Sequence, residues 1–177
     1  MNALTKVTIR SGLQPGDIGY ILYLHGTLYE QEYGWDYTFE GYVAEGMAKF
    51  ALSYDEAKDN IWIAEADGQI VGAIAIVGVD ATTAQLRWFI VHPGQRGHGL
   101  GRALLQHALQ FCADKRFERV FLWTVSELTT AAHLYTSAGF RPTEQHTHEI
   151  WSKRLTEVRY DLELAAMRES WQRMINC

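Results

Sequence analysis

Gly97, Gly99 and Gly101 alternate within QRGHGLGR (residues 95–102), between the apolar run LRWFIVHPG and the helix-like run ALLQHALQFCADK. Alternate glycines let successive backbone amides turn toward one point. At a helix entrance the free N–H groups and the helix dipole favour an anion, and a pyrophosphate is the natural guest. A Walker loop is excluded because Leu100, not Lys, follows Gly99. A dinucleotide fingerprint would want a small residue where Leu104 stands and an acidic residue on a second parallel strand about 20 residues on, and neither fits. Taken alone, the three glycines also suit a solvent-facing turn that caps a helix. A second concentration of chemistry lies upstream, where His25, Tyr29, Glu30, Glu32, Tyr33 and Trp35 gather near an expected helix end and could wall a cleft.

These groups need a scaffold, and hydrophobic periodicity supplies its outline. Residues 4–10 alternate as a strand, 17–33 and 37–52 read as helices, and 61–66 and 69–77 as strands joined by Asp67-Gly68, a strong hairpin signal. Residues 82–91 form a further strand, and 99–115 a helix with Leu100, Ala103, Leu104, Ala108 and Phe111 on one stripe. A strand at 119–125, a short helix at 129–137 ended by Gly139, and strands near 143–151 and 157–164 complete the order. The pattern describes a mixed-sheet α/β or α+β domain over residues 1–164. Beyond it, residues 165–177 read as a helical extension with Met167, Trp171 and Met174 on one side; that side either packs on its own domain or forms a homodimer contact.

The run LRWFIVHPGQRGHGLGRALLQHAL, followed by a strand and then AAHLYTSAGF, resembles the GNAT superfamily of acyl-CoA-dependent N-acyltransferases. Arg96, Gly99 and Gly101 occupy the places of that family's phosphate loop. The resemblance implies a mostly antiparallel sheet with splayed central strands flanked by helices, and acetyl-CoA as co-substrate. It implies that backbone amides around Gly97, His98, Gly99, Leu100, Gly101 and Arg102 hold the pyrophosphate, and that backbone groups of Phe89 and Val91 bond the pantetheine and polarise the thioester carbonyl. It places Tyr135 beside the sulfur. Expulsion of a thiolate needs an acid, and a phenol with ordinary pKa of about 10 can donate to a thiolate whose conjugate acid lies at about 8.5 to 10. The other reading of Tyr135 is a core tyrosine beside Leu134. The stretch GDIGYILYLHGTLYEQEYGWDYTFE and the YDLEL near the end also look like the acetyltransferase half of proteins that fuse a MarR-type DNA-binding domain to a GNAT domain.

Two family features are missing. Val125, Ser126 and Leu128 stand where many members carry a helper Asn, and Gln85 and Arg87 lie in the strand where many carry a Glu base. Glu32 is the candidate base in its place, since a carboxylate beside Tyr33 and Trp35 could be partly desolvated and its pKa raised. His25, Tyr29, Tyr33 and Trp35 are the candidate acceptor-binding residues. Residues 11–60 carry nine carboxylates against Lys49 and Lys58, which favours a cationic amine by steering or forms a solvated helix face.

Composition narrows the function further. The chain has 177 residues, 47% hydrophobic and 21% charged, and a net charge of -5, which argues against a nucleic-acid partner. Cys112 and Cys177 lie far apart, as suits a reducing compartment, and no stretch approaches the roughly 18 apolar residues of a membrane span, so a cytoplasmic location is expected. His146 and His148 share a strand face without a third ligand signal, so no metal is expected. The reading is an acetyl-CoA-dependent N-acetyltransferase acting on a primary amine of a small molecule by direct attack in a ternary complex. The alternatives are a non-catalytic acyl-CoA-binding sensor or partner protein, or a protein-directed acetyltransferase.

Overall fold

The computed structural model describes residues 6–164. Seven strands form one sheet in the order β1-β2-β3-β4-β5-β7-β6. They are β1 (Thr8–Ser11), β2 (Asn60–Ala66), β3 (Gln69–Gly78), β4 (Thr83–Val91), β5 (Arg119–Val125), β6 (Arg141–Ile150) and β7 (Lys153–Glu163), with helices α1 (Asp17–Tyr33), α2 (Tyr37–Leu52), α3 (Leu100–Asp114) and α4 (Thr129–Ser137). Every neighbouring pair is antiparallel except β4 and β5. That one parallel pair follows from α3, which carries the chain across one face of the sheet between them.

The inner strands are covered on both faces, with β2 and β3 almost wholly buried, while the edge strand β6 is exposed. Trp62, Ala64, Ile74, Ile76, Val120 and Leu122 face a core closed by Leu104, Leu105, Ala108 and Cys112 of α3. Ile61, Ile63, Ala73 and Ala75 face the other core, closed by Ile21, Leu24 and Leu28 of α1 and Phe39, Val43, Met47 and Phe50 of α2. Those helical sets recur at three- and four-residue spacings, so each helix turns a continuous apolar stripe to the sheet.

Helix ends follow local chemistry. Gly34, at φ +67°, ends α1 with its N–H on the Glu30 carbonyl at 2.8 Å, and Asp36 caps α2 by accepting from the Thr38 N–H at 3.0 Å. Arg10 of β1 reaches Asp17 at 2.6 Å and Glu65 at 2.8 Å, tying the buried first turn of α1 to the sheet edge.

Two features set the geometry of β4. Its pairing with β5 covers only Thr83, Ala84 and Gln85, opposite Arg119, Val120 and Phe121; beyond Gln85 the two strands part. On its other side, Ala73 pairs with Ile90 but Ala75 with Arg87, so β4 carries one extra residue, and Trp88 takes φ +47°. This β-bulge reverses the facing of the strand. Ala84 and Leu86 join the core under α3, whereas Trp88 and Ile90 join the core under α1 and α2.

Asp67 and Gly68, at φ +50° and +75°, make the expected tight hairpin. The first strand is shorter than its alternation suggested: β1 starts at Thr8, and residues 4 and 5 lie outside the described range, as does the helical segment expected at 165–175. The expected last two strands differ more. The turn falls at Trp151 and Ser152, both with positive φ (+51° and +60°), so β7 begins at Lys153 rather than near Glu157. A Trp-Ser pair lacks the Asn-Gly chemistry that marks such turns; tertiary packing holds it, since Trp151 lies 4.5 Å from the Trp35 ring and 4.7 Å from Phe39, and Ser152 Oγ donates to Asp36. Among the described residues no helix is long and apolar enough to cross a membrane.

Leu104 is fully buried, with its Cδ1 close over the backbone of Gly72 in β3. Truncation to alanine leaves a void between α3 and the sheet, so Leu104→Ala is expected to cost about 2–5 kcal/mol of stability. Urea unfolding of the two proteins measures it.

Candidate active site

The glycine turn is built at the end of β4. His92 Nδ1 accepts from the Gly94 N–H at 3.2 Å, one 3-10 turn spans Pro93–Gln95, and α3 starts at Leu100. Gly97 and Gly99 have φ of +79° and +83°, which L side chains rarely adopt, and no atom lies within 4 Å of where their Cβ atoms would be. Backbone conformation, then, is what requires glycine there, and the space beside the turn is open. Gly101 differs: a Cβ there would make ordinary contacts with Leu134 and Phe89. The first helical bond of α3 runs from Ala103 N–H to Gly99 C=O at 3.0 Å, so the amides of Leu100, Gly101 and Arg102 precede it and have no intrahelical partner. Leu100 turns its side chain into the core, while His98 and Arg102 are exposed.

Arg96 departs from a simple phosphate contact. Its Nε donates to the Val91 carbonyl at 2.9 Å, and its two terminal nitrogens grip both oxygens of Glu32 at 2.9 and 2.8 Å. Glu32 was expected to be a partly desolvated carboxylate beside Trp35. It is instead half of a fork-shaped ion pair that straps α1 to the turn, and it does not line the cleft described next. The sequence signal could not show this, because the partners are 64 residues apart.

Beyond the bulge, backbone directions follow from the ladder. His92 N–H donates to Val71 of β3, and in an antiparallel pair adjacent residues point their amides to opposite sides. Val91, and by the same alternation Phe89, therefore point N–H and C=O into the gap that β5 has left. Tyr135 stands beside that gap, its ring 6.0 Å from Phe89. The end of α4 fixes it: the Tyr135 carbonyl accepts from Ala138 and Phe140 N–H at 3.0 and 3.1 Å, and the Phe140 ring packs 5.9 Å away. Burial raises the Tyr135 pKa, with Tyr29 and Tyr160 adding to the effect, so the phenol stays protonated.

A cleft of about 130 Å³ opens next to Tyr135 on the α1–α2 side of the sheet. Of the four candidate acceptor residues, His25, Tyr29 and Trp35 line it, while Tyr33 packs behind Tyr29 and Trp35 at 5.7 and 5.6 Å and does not. His25 is buried, its Nδ1 bonded to the Ile21 carbonyl at 2.8 Å, and burial lowers its pKa to about 4. Sequence reasoning missed much of the remaining wall: Arg87 and Trp88 from the bulge, Trp123 of β5, Trp151 of the hairpin turn and Glu157 of β7. Only the turn at Trp151 could have been sought in the sequence, and it lacks the usual residues. A larger groove of about 540 Å³ runs between α3 and α4, but neither Tyr135 nor any candidate acceptor residue lines it. Among the described residues no three His, Cys, Asp or Glu gather as a metal site.

Parted central strands, a bulge and a glycine turn at a helix entrance define an acyl-carrier-binding fold, and comparison with known proteins agrees. The profile of the Acetyltransferase (GNAT) family matches residues 27–140, most of the chain, and the protein belongs to that family. Human N-acetyltransferase 8B is 32% identical over 113 residues, covering 60% of this chain and 50% of the relative. Mycothiol acetyltransferase from Beutenbergia cavernae is 33% identical over 88 residues, covering 49% of this chain and 30% of the relative. The matches thus span no more than about half of these curated relatives. A GNAT acetyltransferase structure from Staphylococcus aureus superposes with a TM-score of 0.72 at 18% identity, covering 90% of this chain and 99% of that one. One from Elizabethkingia anophelis with acetyl-CoA bound gives 0.64 at 18% identity, covering 89% and 97%. These likenesses show a shared fold.

His25 yields a pH prediction. Its folded pKa of about 4 lies below the ordinary value of 6.5, so the unfolded chain takes up the proton first. Its contribution is complete above pH 6.5, declines as pH falls through the window down to about 4, and amounts to about 3 kcal/mol at most. Urea unfolding at a series of pH values should show a shallower acid decline in His25→Phe than in the parent protein.

Proposed function

We propose that this protein transfers an acetyl group from acetyl-CoA to a primary amine of a small molecule by direct attack within a ternary complex. One observation carries the reading: the open amides of the glycine turn, the unpaired edge of β4 at Phe89 and Val91, and the protonated phenol of Tyr135 lie along one path that ends in an aromatic cleft. The residues suit the carrier. Open space beside Gly97 and Gly99 leaves room for a diphosphate at the entrance of α3, and the gap beside β4 leaves backbone groups for an amide-bearing chain.

Bound there, acetyl-CoA supplies an activated acyl group. Backbone N–H from Phe89 or Val91 stabilises negative charge developing on the carbonyl oxygen. The Val91 carbonyl is already taken by Arg96, so its N–H, turned to the gap where β5 has parted, is the group it can offer. As the C–N bond forms and the C–S bond breaks, Tyr135 donates its proton to the departing sulfur, and the proton shed by the amine nitrogen passes through solvent to restore the phenol, which burial keeps protonated before the reaction. Glu32 is not given the base role, since both its oxygens are held by Arg96. The same fork positions the turn, with Arg96 as its clamp. The walls of Tyr29, Trp35, Trp88 and Trp151 suit a small amine more than an extended polypeptide.

Two substitutions should fail differently. Tyr135→Phe is expected to lower kcat about 10²- to 10⁴-fold while leaving acetyl-CoA affinity unchanged. Thiol release and a thermal-shift titration separate the two; thiol release unchanged by the substitution would remove Tyr135 from the mechanism, and its absence from the parent protein with every amine would favour a non-catalytic acyl-CoA sensor. In the parent, no alkaline loss of kcat attributable to Tyr135 should occur below about pH 10, because its pKa is displaced upward from the ordinary phenol value. Gly99→Ala forces a side chain into positive φ, at about 1–2 kcal/mol. It should weaken acetyl-CoA binding roughly tenfold, leaving kcat at saturation near that of the parent.

A further inference from the structure

The bulge in β4 does more than free the backbone. An extra residue in one strand places two consecutive side chains on the same face, and here those are Arg87 and Trp88. The Arg87 guanidinium lies 4.7 Å over the Trp88 ring and 5.9 Å from that of Tyr42. Gly46 of α2 makes the room: a Cβ there would come within 2.9 Å of Arg87 Nη2 and 3.2 Å of Trp88 Cζ2. The guanidinium is thus stacked and steered into the cleft, half-buried among aromatic rings.

Among the described residues Arg87 has no counter-charge. Arg10, Arg96, Arg119, Arg154 and Arg159 each meet a carboxylate, at 2.6 to 3.9 Å, while Arg102, Arg116 and Arg141 form no ion pair but are exposed to water, as half-buried Arg87 is not. Among the described residues, Arg87 forms neither an ion pair nor a hydrogen bond, only its two ring contacts. A guanidinium withdrawn from water without an acceptor is costly, and its planar fork matches a carboxylate in two-point contact. Two more donors in the same wall lack partners: the indole N–H groups of Trp35 and Trp88 are buried and unbonded. The carboxylate lining the cleft is Glu157, on β7, the strand that pairs with β5; its Oε2 meets His148 Nε2 at 2.7 Å. Most of the remaining lining is aromatic or apolar, with Tyr29, Trp35, Trp123 and Trp151 among it.

One cation without a counter-ion, one carboxylate contributed by another strand and an aromatic lining describe a receptor for a zwitterion with an apolar group. We infer that the acceptor is an α-amino acid, or a derivative with free amine and carboxylate, carrying an aromatic or bulky apolar side chain. Arg87 holds the acceptor carboxylate, Glu157 attracts its ammonium, and Tyr29, Trp35 and Trp151 pack on the side chain. The inference rests on the proposed acetyl transfer in treating this cleft as the acceptor site, but it is testable by binding alone.

L-phenylalanine, phenethylamine and 3-phenylpropanoate share a ring and differ in the charged groups they carry. Isothermal titration of the protein with each, with CoA present at saturating concentration and in its absence, should find L-phenylalanine binding at least tenfold more tightly than either of the other two. Arg87→Met should remove the preference over phenethylamine without weakening phenethylamine itself, and Glu157→Gln should weaken both amines while sparing 3-phenylpropanoate. Circular dichroism of each variant, and its thermal shift with acetyl-CoA, show that the fold and carrier site are intact. Phenethylamine binding as tightly as L-phenylalanine, an unchanged preference in Arg87→Met, or no binding of any probe by a protein that still responds to acetyl-CoA would overturn the inference. L-phenylalanine binding without any acetyl-CoA response would instead remove the acetyl-transfer reading and leave the amino-acid site standing.

Discussion

The structure depends on a sheet that is not completed. β4 and β5 pair for three residues and then separate, so a central strand keeps unpaired backbone groups in the middle of the protein. Buried N–H and C=O groups without partners are costly, and native proteins seldom leave them so. On the proposed function, the gap is tolerable because it is filled by a ligand that carries amides of its own. The parting also lets α4 bring Tyr135 to the edge of β4, which continuous pairing of the strands would prevent.

The bulge at Trp88 supports that opening from the other side. It turns Trp88 and Ile90 onto the α1–α2 face, so the half of β4 that borders the gap is packed against those helices while its backbone edge remains free. Arg96 then locks the end of the strand. By bonding Val91 and Glu32 together, it ties strand, turn and α1 into one unit. With side-chain exposures of 44% and 26%, this pair owes its value to geometry more than to stability, since exposed ion pairs contribute little.

Much of this architecture was legible in the amino-acid order. Helices at 17–33 and 37–52 end where Gly34 and Ser53 sit, Asp67-Gly68 makes its turn, and the glycine run opens α3. The cleft was only partly legible. Residues 84, 86, 88 and 90 are buried in strict alternation, which reads as one face of one strand, yet the bulge sends the first two to one core and the last two to the other. Nothing local announces this; the extra residue is set by pairing with β3. Arg87 therefore reads as an ordinary strand residue. Glu32 misled for a related reason: its neighbours in sequence are aromatic, but its partner in space is Arg96. Trp151 reads as a strand end because its turn is held by contacts of Trp151 with Trp35 and Phe39 and of Ser152 with Asp36, and not by turn-forming residues.

The most direct test of the open seam is amide hydrogen exchange at Phe89 and Val91, measured residue by residue with and without acetyl-CoA. Without it, both amides should exchange far faster than those of Ala73 and Ile90 on the paired edge, and saturating acetyl-CoA should slow them selectively. Amides at Phe89 and Val91 already as protected as their paired neighbours, or unaffected by acetyl-CoA, would contradict a seam held open for the acyl carrier.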